Sequence, residues 1–219
     1  MTLRDRKKAA TKERIAAEAL RLFERQGFEG TTIDEIAEAA QVGRRTFFRY
    51  FPTKEAVVFP DWERRLGEFR SGLGAQSGRP ERGGRRRQGV QEGQEGREEG
   101  LQAVQRALVG LAEDYAAHRE DLLAQQRLTE GSAALLAAEA GQDRLWEAAI
   151  AEALGDRAGA GVAARRRARL AAGAVMGAIR ACLKEWYQAR GRINLRTLGE
   201  EAFALLEAGI SKSQEGEKK

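Results

Sequence analysis

The side chains best suited to bind another molecule are concentrated in residues 43–54, which have the sequence GRRTFFRYFPTK. At about 100° of rotation per residue, Phe47 and Phe51 share one side of a helix, and we predict that both are buried. The other sides then present cations and hydroxyls, namely Arg44, Arg45, Thr46, Arg49 and Tyr50. Because a guanidinium can donate two hydrogen bonds to the edge of a guanine and a hydroxyl can bind a phosphate, we predict that this helix binds DNA.

The elements around this segment have the boundaries of a helix-turn-helix unit. A first helix stops at Gly27, and one of its faces is apolar through Ile15, Ala19, Leu22 and Phe23. Thr32 and Glu35 have the spacing of a capping box, which predicts the start of a short second helix. The third helix begins at Gly43 and ends before Pro52. Two short helices packed on a preceding one form this unit, with an unrelated small helical bundle as the alternative.

A fourth helix is predicted to start at Thr53 and to run to residue 70, joining this head to the rest of the chain. Lys54 adds a cation in its first turn, where free backbone N–H groups also suit a phosphate. Residues 1–54 contain twelve Lys/Arg against eight Asp/Glu, whereas the whole chain has a net charge of only +5. So small an overall excess does not indicate nucleic-acid binding, and the position of the charges matters more.

The run TIDEIAEAAQVGRRTFFRYFPTKEA, residues 32–56, closely resembles the DNA-binding head of the tetracycline-repressor-like (TetR) family. The preceding run RIAAEALRLF, residues 14–23, with Gly27 after it, fits the same pattern. The resemblance covers about the first 60 residues, and the body matches only in general shape. It implies a homodimer that binds an operator in double-stranded DNA, usually as a repressor that a small ligand releases.

Carried over residue by residue, the resemblance implies phosphate contacts for Thr32, Tyr50 and Lys54. It implies contacts with base edges for Arg44, Arg45, Thr46 and Arg49. Two positions depart from the family pattern. Phe48 stands where tyrosine is common, so that a phosphate contact is lost there, and Gly43 caps the third helix without a side-chain acceptor.

The remainder of the chain is predicted to be a helical body. Residues 71–100 contain nine glycines and few aliphatic side chains, so they bury too little apolar area to offset their ordering entropy, and we predict a flexible insertion. Helical spacing resumes over residues 101–210, and residues 211–219 are predicted to be a disordered tail. Good helix formers dominate and alternating β-branched runs are absent. The predicted fold is all-α, with a three-helix head on a ligand-binding and dimerisation body.

The body has two candidate surfaces. Residues 165–190 and 195–210 carry apolar side chains at three- and four-residue steps, and Asn194 is the predicted N-cap of the second stretch. From two subunits these helices are predicted to form a four-helix dimer interface through Leu170, Ala174, Ala178, Cys182, Leu198, Ala202 and Leu205. Residues 101–160 are predicted to enclose a pocket for a small, largely apolar effector, with candidate contacts at Leu111, Tyr115, His118 and Trp146.

Few side chains could support catalysis or hold a metal ion. The chain has one cysteine and one histidine, which excludes an internal disulfide and any metal site that needs several imidazoles. An exposed histidine and a buried, unreactive thiol are the simpler interpretations of His118 and Cys182. No apolar run is long enough to cross a bilayer, and we therefore predict a cytoplasmic protein. We also predict that it is a regulator without catalytic residues, metal or cofactor. A regulator that answers to no small molecule, and an enzyme with a helical body, are the alternatives.

Overall fold

The computed structural model describes residues 2–74, 91–158 and 161–215. Within these ranges the chain forms eleven α-helices and no strand, which confirms the predicted all-α class. The helices are α1 (Leu3–Gln26), α2 (Ile33–Ala39), α3 (Arg44–Tyr50), α4 (Glu55–Val58), α5 (Trp62–Gly74), α6 (Gln91–Gly110), α7 (Ala112–Ala117), α8 (Arg119–Glu130), α9 (Ala133–Ala158), α10 (Val162–Gln188) and α11 (Leu195–Glu215). None of these helices has both the length and the apolar composition needed to span a bilayer.

The chain divides into two compact units. Unit 1 consists of Met1–Trp62 together with Ala124–Ala140, and unit 2 consists of Glu63–Leu123 together with Gly141–Lys219. The predicted head, residues 1–60, lies within unit 1. The segment 124–140, which the spacing of apolar residues places in the body, belongs to unit 1 as well. Helices α8 and α9 therefore contribute residues to both units.

Unit 1 is built on one apolar core. Ile15, Phe23 and Phe47 are fully buried in this core, as is Leu135 from α9. Each large apolar side chain that is removed from water contributes about 1.5–3 kcal/mol. The segment 124–140 belongs with the head because Leu135 completes this core, 112 positions away from Phe23 in sequence.

The predicted local boundaries of the head are present. Helix α1 stops at Gly27, whose φ of +79° is a conformation that glycine adopts without strain. Thr32 caps α2 in a reciprocal capping box with Glu35. Helix α3 ends at Tyr50, since Phe51 is extended ahead of Pro52. These short-range signals therefore set the lengths of α1, α2 and α3.

Two helices, α4 and α5, occupy the region for which one fourth helix is predicted. The interruption is centred on Pro60, whose ring disfavours the helical conformation at the residue before it. That residue, Phe59, has φ −114° and ψ 59°, outside the helical region. Helix α4 consequently ends at Val58, and α5 starts anew at Trp62.

Helices also extend into both segments predicted to lack structure. Helix α5 runs to Gly74 and α6 starts at Gln91, while residues 75–90 lie outside the described part of the chain. Glutamine, glutamate and arginine make up most of residues 91–99, and all three are good helix formers. Helix α11 likewise continues to Glu215, five residues beyond the predicted end of the body.

A buried ion pair joins α5 to α7 within unit 2. Arg65 Nε donates to Asp114 Oδ2 at 2.7 Å, and Arg64 Nη2 donates to Oδ1 of the same carboxylate at 2.9 Å. Arg65 is only 7% exposed, and its guanidinium lies 4.9 Å from the centre of the Tyr115 ring. Burial by itself raises the pKa of Asp114, but the hydrogen bonds from Arg65 and Arg64 outweigh it and lower that pKa below 3.8. The carboxylate is therefore charged at neutral pH, where it compensates the buried guanidinium.

Candidate nucleic-acid interface

Helix α3 is anchored in unit 1 by its aromatic side chains. Phe47 and Phe51 are both buried, with ring centres 5.9 Å apart, as predicted from their spacing. Gly43 begins the helix in an extended conformation without a side-chain cap. Phe48 meets the edge of Phe47 at 5.6 Å but remains 42% exposed. With one side of α3 buried, the polar side chains are left on its outer sides.

Arg45 is the most available donor on the outer side of α3. Its side chain is exposed and makes no hydrogen bond or ion pair with any residue that the structure describes. Thr46, the next residue, is half-buried, and Arg49 is exposed with its guanidinium 5.1 Å from the centre of the Tyr50 ring. Arg45 can therefore turn all its N–H groups towards an incoming partner, whereas Arg49 is already stacked on a half-buried tyrosine.

Arg44 is paired within the head. Its Nη1 lies 2.7 and 2.8 Å from the two carboxylate oxygens of Asp34 on α2, and its guanidinium lies 5.6 Å from the Phe48 ring centre. Both members of the ion pair are exposed. Exposed pairs contribute only about 0–1 kcal/mol, so a phosphate or a base edge can displace Asp34 at little cost.

Thr32 is committed to the start of α2. Its hydroxyl donates to Glu35 Oε2 at 2.8 Å and accepts from Glu35 N at 3.2 Å, and its backbone N–H donates to Glu35 Oε2 at 2.7 Å. The hydrogen bonds from the Thr32 backbone and hydroxyl lower the pKa of Glu35, so that this carboxylate stays charged. A phosphate contact by the Thr32 hydroxyl requires that it leave this carboxylate.

Lys54 has partners inside the head that local spacing does not reveal. Its Nζ donates to the carbonyl oxygens of Phe28 at 2.7 Å and Thr31 at 2.8 Å, and it lies 4.2 Å from the centre of the Phe28 ring. These partners are 26 and 23 residues away in sequence, beyond the reach of helix periodicity or capping rules. The ammonium group therefore ties the turn between α1 and α2 to the start of α4, with one N–H left for another acceptor.

Three of the four candidate effector contacts belong to α7 or its two ends, and the fourth lies on α9, all within unit 2. Leu111 precedes α7 and is half-buried, and Tyr115 packs edge-on against Trp186 at 6.0 Å. His118 Nδ1 lies 2.8 Å from the carbonyl oxygen of Asp114 and 3.4 Å from its carboxylate. Trp146 on α9 packs on Phe69 of α5 at 5.4 Å. Tyr115 and Trp146 thus contact different aromatic partners.

The predicted dimer-interface residues fall into two groups. Leu170 and Leu205 are 70% and 76% exposed, and Ala174 is exposed as well. The others are half-buried within unit 2, namely Ala178, Cys182, Leu198 and Ala202. Cys182 Sγ lies 3.5 Å from the carbonyl oxygen of Leu198, and burial raises the pKa of this thiol, as expected for an unreactive cysteine. The first group is therefore the more accessible to a second subunit.

Two family models match the chain. Residues 15–59 match the model described as bacterial regulatory proteins of the tetR family. Residues 98–211, more than half of the chain, match the model described as the MftR C-terminal domain. Together they include α2, α3 and α4 of the head and all of α7, α8, α9 and α10.

Curated relatives match over the head. The transcriptional regulator TcmR of Streptomyces glaucescens is 52% identical over 56 residues, which is 26% of this chain and 25% of that protein. The putative mycofactocin biosynthesis transcriptional regulator MftR of Mycobacterium tuberculosis is 36% identical over 64 residues, which is 29% of this chain and 32% of that protein. The chain thus matches a quarter to a third of these relatives' length.

Solved structures match over most of the chain and show the fold. The fatty acid degradation regulator FadR of Bacillus halodurans aligns with a TM-score of 0.53 and 17% identity, covering 89% of this chain and 96% of that one. FadR of Thermus thermophilus, a transcriptional repressor solved in complex with lauroyl-CoA, aligns with a TM-score of 0.51 and 24% identity, covering 91% and 94%.

Proposed function

Because the chain belongs to the tetracycline-repressor (TetR) family of bacterial regulatory proteins, we propose that it binds an operator in double-stranded DNA and controls transcription there. The observation that carries this proposal is the exposed guanidinium of Arg45 on the outer side of α3, which has no partner among the residues that the structure describes. Arg44, Thr46 and Arg49 lie beside it on α3. They add hydrogen-bond donors that a helix in a DNA groove can use. The site of action is the cytoplasm, where a bacterial chromosome lies.

The proposal includes a homodimer and a palindromic operator. Support comes from the exposed apolar side chains of α10 and α11, above all Leu170, Ala174 and Leu205. Large apolar side chains that cluster on an exposed helix face favour a partner. A two-fold dimer presents two copies of α3, which suits half-sites about one DNA turn apart, roughly 34–36 Å.

The proposal further includes repression that a small, largely apolar ligand relieves. Unit 2 contains two aromatic pairs, in which the buried ring of Phe69 packs on the half-buried Trp146 and the buried ring of Trp186 packs on the half-buried Tyr115. The lauroyl-CoA complex of the Thermus thermophilus repressor suggests an acyl-CoA as the first ligand to test. Leu111, Tyr115, His118 and Trp146 remain the candidate contacts.

Selection of bound fragments from random DNA, followed by an Arg45→Ala comparison, tests operator binding. We expect the wild-type protein to select a palindrome. Arg45→Ala should weaken binding by about 1–3 kcal/mol and relax the preference at one base pair of each half-site, because a bidentate contact is lost. Arg70→Ala, which removes an exposed arginine of α5, is the matched control and should leave the preference intact. An unchanged base preference in Arg45→Ala would show that Arg45 does not contact a base.

A further inference from the structure

The positive charge of the head is concentrated ahead of its core. Residues 1–14 contain six Lys/Arg and two Asp/Glu, whereas residues 15–54 contain six of each. Helix α1 starts at Leu3, but its first fully buried side chain is Ile15. Arg4 and Lys8 are exposed and form no ion pair with a residue whose side chain the structure describes. The whole net charge of the head therefore lies in residues 1–14, ahead of Ile15.

The cations lie on the side of α1 that faces inward further along the helix. At about 100° per residue, Arg4 and Lys8 both fall within roughly 20° of Ile15 around the helix axis. From Ile15 onward that side is apolar and buried, as Ala19 and Leu22 show. The same side of α1 thus changes from basic ahead of Ile15 to apolar and buried from Ile15 onward.

Lys12 connects this basic side to the end of α3. Its Nζ lies 5.7 Å from the centre of the Phe51 ring, and Phe51 is the residue that directly follows α3. Lys8 and Arg4 lie about 6 and 12 Å further along the helix axis, at 1.5 Å per residue. A duplex carries one phosphate charge per roughly 1.7 Å of its axis, so that a row of cations of this length spans several phosphates.

We propose that Arg4, Lys8 and Lys12 form an accessory surface that binds the DNA backbone beside the base pairs contacted by α3. The inference rests on the proposed function and adds a second contact area to it. The occupant is the phosphate backbone of duplex DNA, because the surface is basic and continuous, through Lys12 and Phe51, with the base-contacting helix. A backbone contact of this kind raises affinity for all sequences and carries no base preference.

The test compares two double variants that lose the same charge in the full-length protein. Arg4→Gln/Lys8→Gln removes two cations from the basic side. Arg6→Gln/Arg21→Gln is the control and removes two cations that lie roughly 120–180° from Ile15 around the helix axis. Dissociation constants are measured over a salt series on the selected operator and on a scrambled duplex. For Arg4→Gln/Lys8→Gln we expect the log–log salt slope to fall by about 1.8 per protomer, or about 0.9 per phosphate contact, by the same amount on both duplexes. Hydroxyl-radical footprints should lose protection only in the backbone next to the base pairs contacted by α3.

Several outcomes would overturn the inference. They are an unchanged slope in Arg4→Gln/Lys8→Gln, an equal fall in the control, and a loss confined to the operator. Thermal unfolding of both variants verifies that they fold, which is expected because all four side chains are exposed on the helix surface. If the wild-type protein binds neither duplex, the proposed function fails together with this inference. If it binds the operator and only the slope is unchanged, this inference alone fails.

Discussion

Three cations of the head have the same charge but differ in what they can bind. Arg45 is unengaged among the described residues, Arg44 holds an exposed ion pair with Asp34, and Lys54 donates to two carbonyl oxygens. An exposed pair exchanges its partner readily, whereas a half-buried ammonium with two short hydrogen bonds does not. At the scale of the residue, Arg45 is therefore the first candidate for base contacts, because its N–H groups have no described partner. Lys54 has a mainly structural role.

We expect Lys54→Met to destabilise the protein by about 2–3 kcal/mol, because two charge-assisted hydrogen bonds and the contact with the Phe28 ring are lost. The unfolding midpoint in urea measures this loss. Lys184→Met, on an exposed position of α10, is the control and should unfold like the wild type. A Lys54→Met protein of normal stability whose salt slope for DNA falls by about one unit per protomer would instead establish Lys54 as a phosphate contact.

Helix α10 is apolar on two sides, which distinguishes it from an ordinary surface helix. One side is buried in unit 2 through Ala168, Ala172, Val175, Met176 and Trp186. The other side is exposed through Leu170, Ala174, Gly177 and Ala181, which recur at three- and four-residue steps. A surface helix needs only one apolar stripe to pack on its own chain. At the scale of the element, the second stripe therefore supports a partner helix from another subunit.

We expect Ala174→Arg to convert a dimer into monomers, since it places an unpaired guanidinium in the middle of the exposed stripe. A buried, unpaired charge costs about 3–5 kcal/mol, which raises the dissociation constant at least roughly 100-fold. Sedimentation velocity measures the change. Ala116→Arg, an exposed alanine of α7, adds the same side chain and should remain dimeric. A dimer that tolerates Ala174→Arg would place the interface on another surface.

The chain crosses between the two units three times, and two of these crossings lie inside a helix. The chain passes between them at residues 62–63, 123–124 and 140–141, and the last two positions lie inside α8 and α9. Within unit 1, Ser132 Oγ donates to Glu29 Oε1 at 2.6 Å and accepts from Leu135 N at 3.3 Å, which fixes the start of α9 next to the turn after α1. At the scale of the whole molecule, the two units are joined through α8, α9 and the connection at residues 62–63.

We expect the proposed effector to weaken operator binding, and operator DNA to weaken binding of that effector by the same factor, because linkage is reciprocal. Typical coupling corresponds to about 5–150-fold. Titration of the ligand against the free protein and against the operator complex measures both directions. If a panel of acyl-CoA and aromatic ligands leaves operator affinity unchanged, the regulator that answers to no small molecule becomes the better description.

The sequence by itself determined the features that depend on neighbours within one or two helical turns. The capping box of Thr32 and Glu35 and the burial of Phe47 and Phe51 follow from spacings of three and four residues, and the stop at Gly27 follows from its residue type. All of them are present in the structure. The break at Pro60 also has a short-range cause, which the prediction of one long helix disregarded. Such signals act through local sterics and hydrogen bonds, and they suffice for the helix-turn-helix and the all-α class.

Only the tertiary structure decided which polar groups remain available for binding. Lys54 is occupied by carbonyls 23 and 26 residues away, Arg65 by a carboxylate 49 residues away, and Ser132 by a glutamate 103 residues away. Helix periodicity carries no information about partners at such separations, because packing brings them together only when the core forms. The exposed guanidinium of Arg45 and the exposed stripe of α10 are what this packing leaves uncovered.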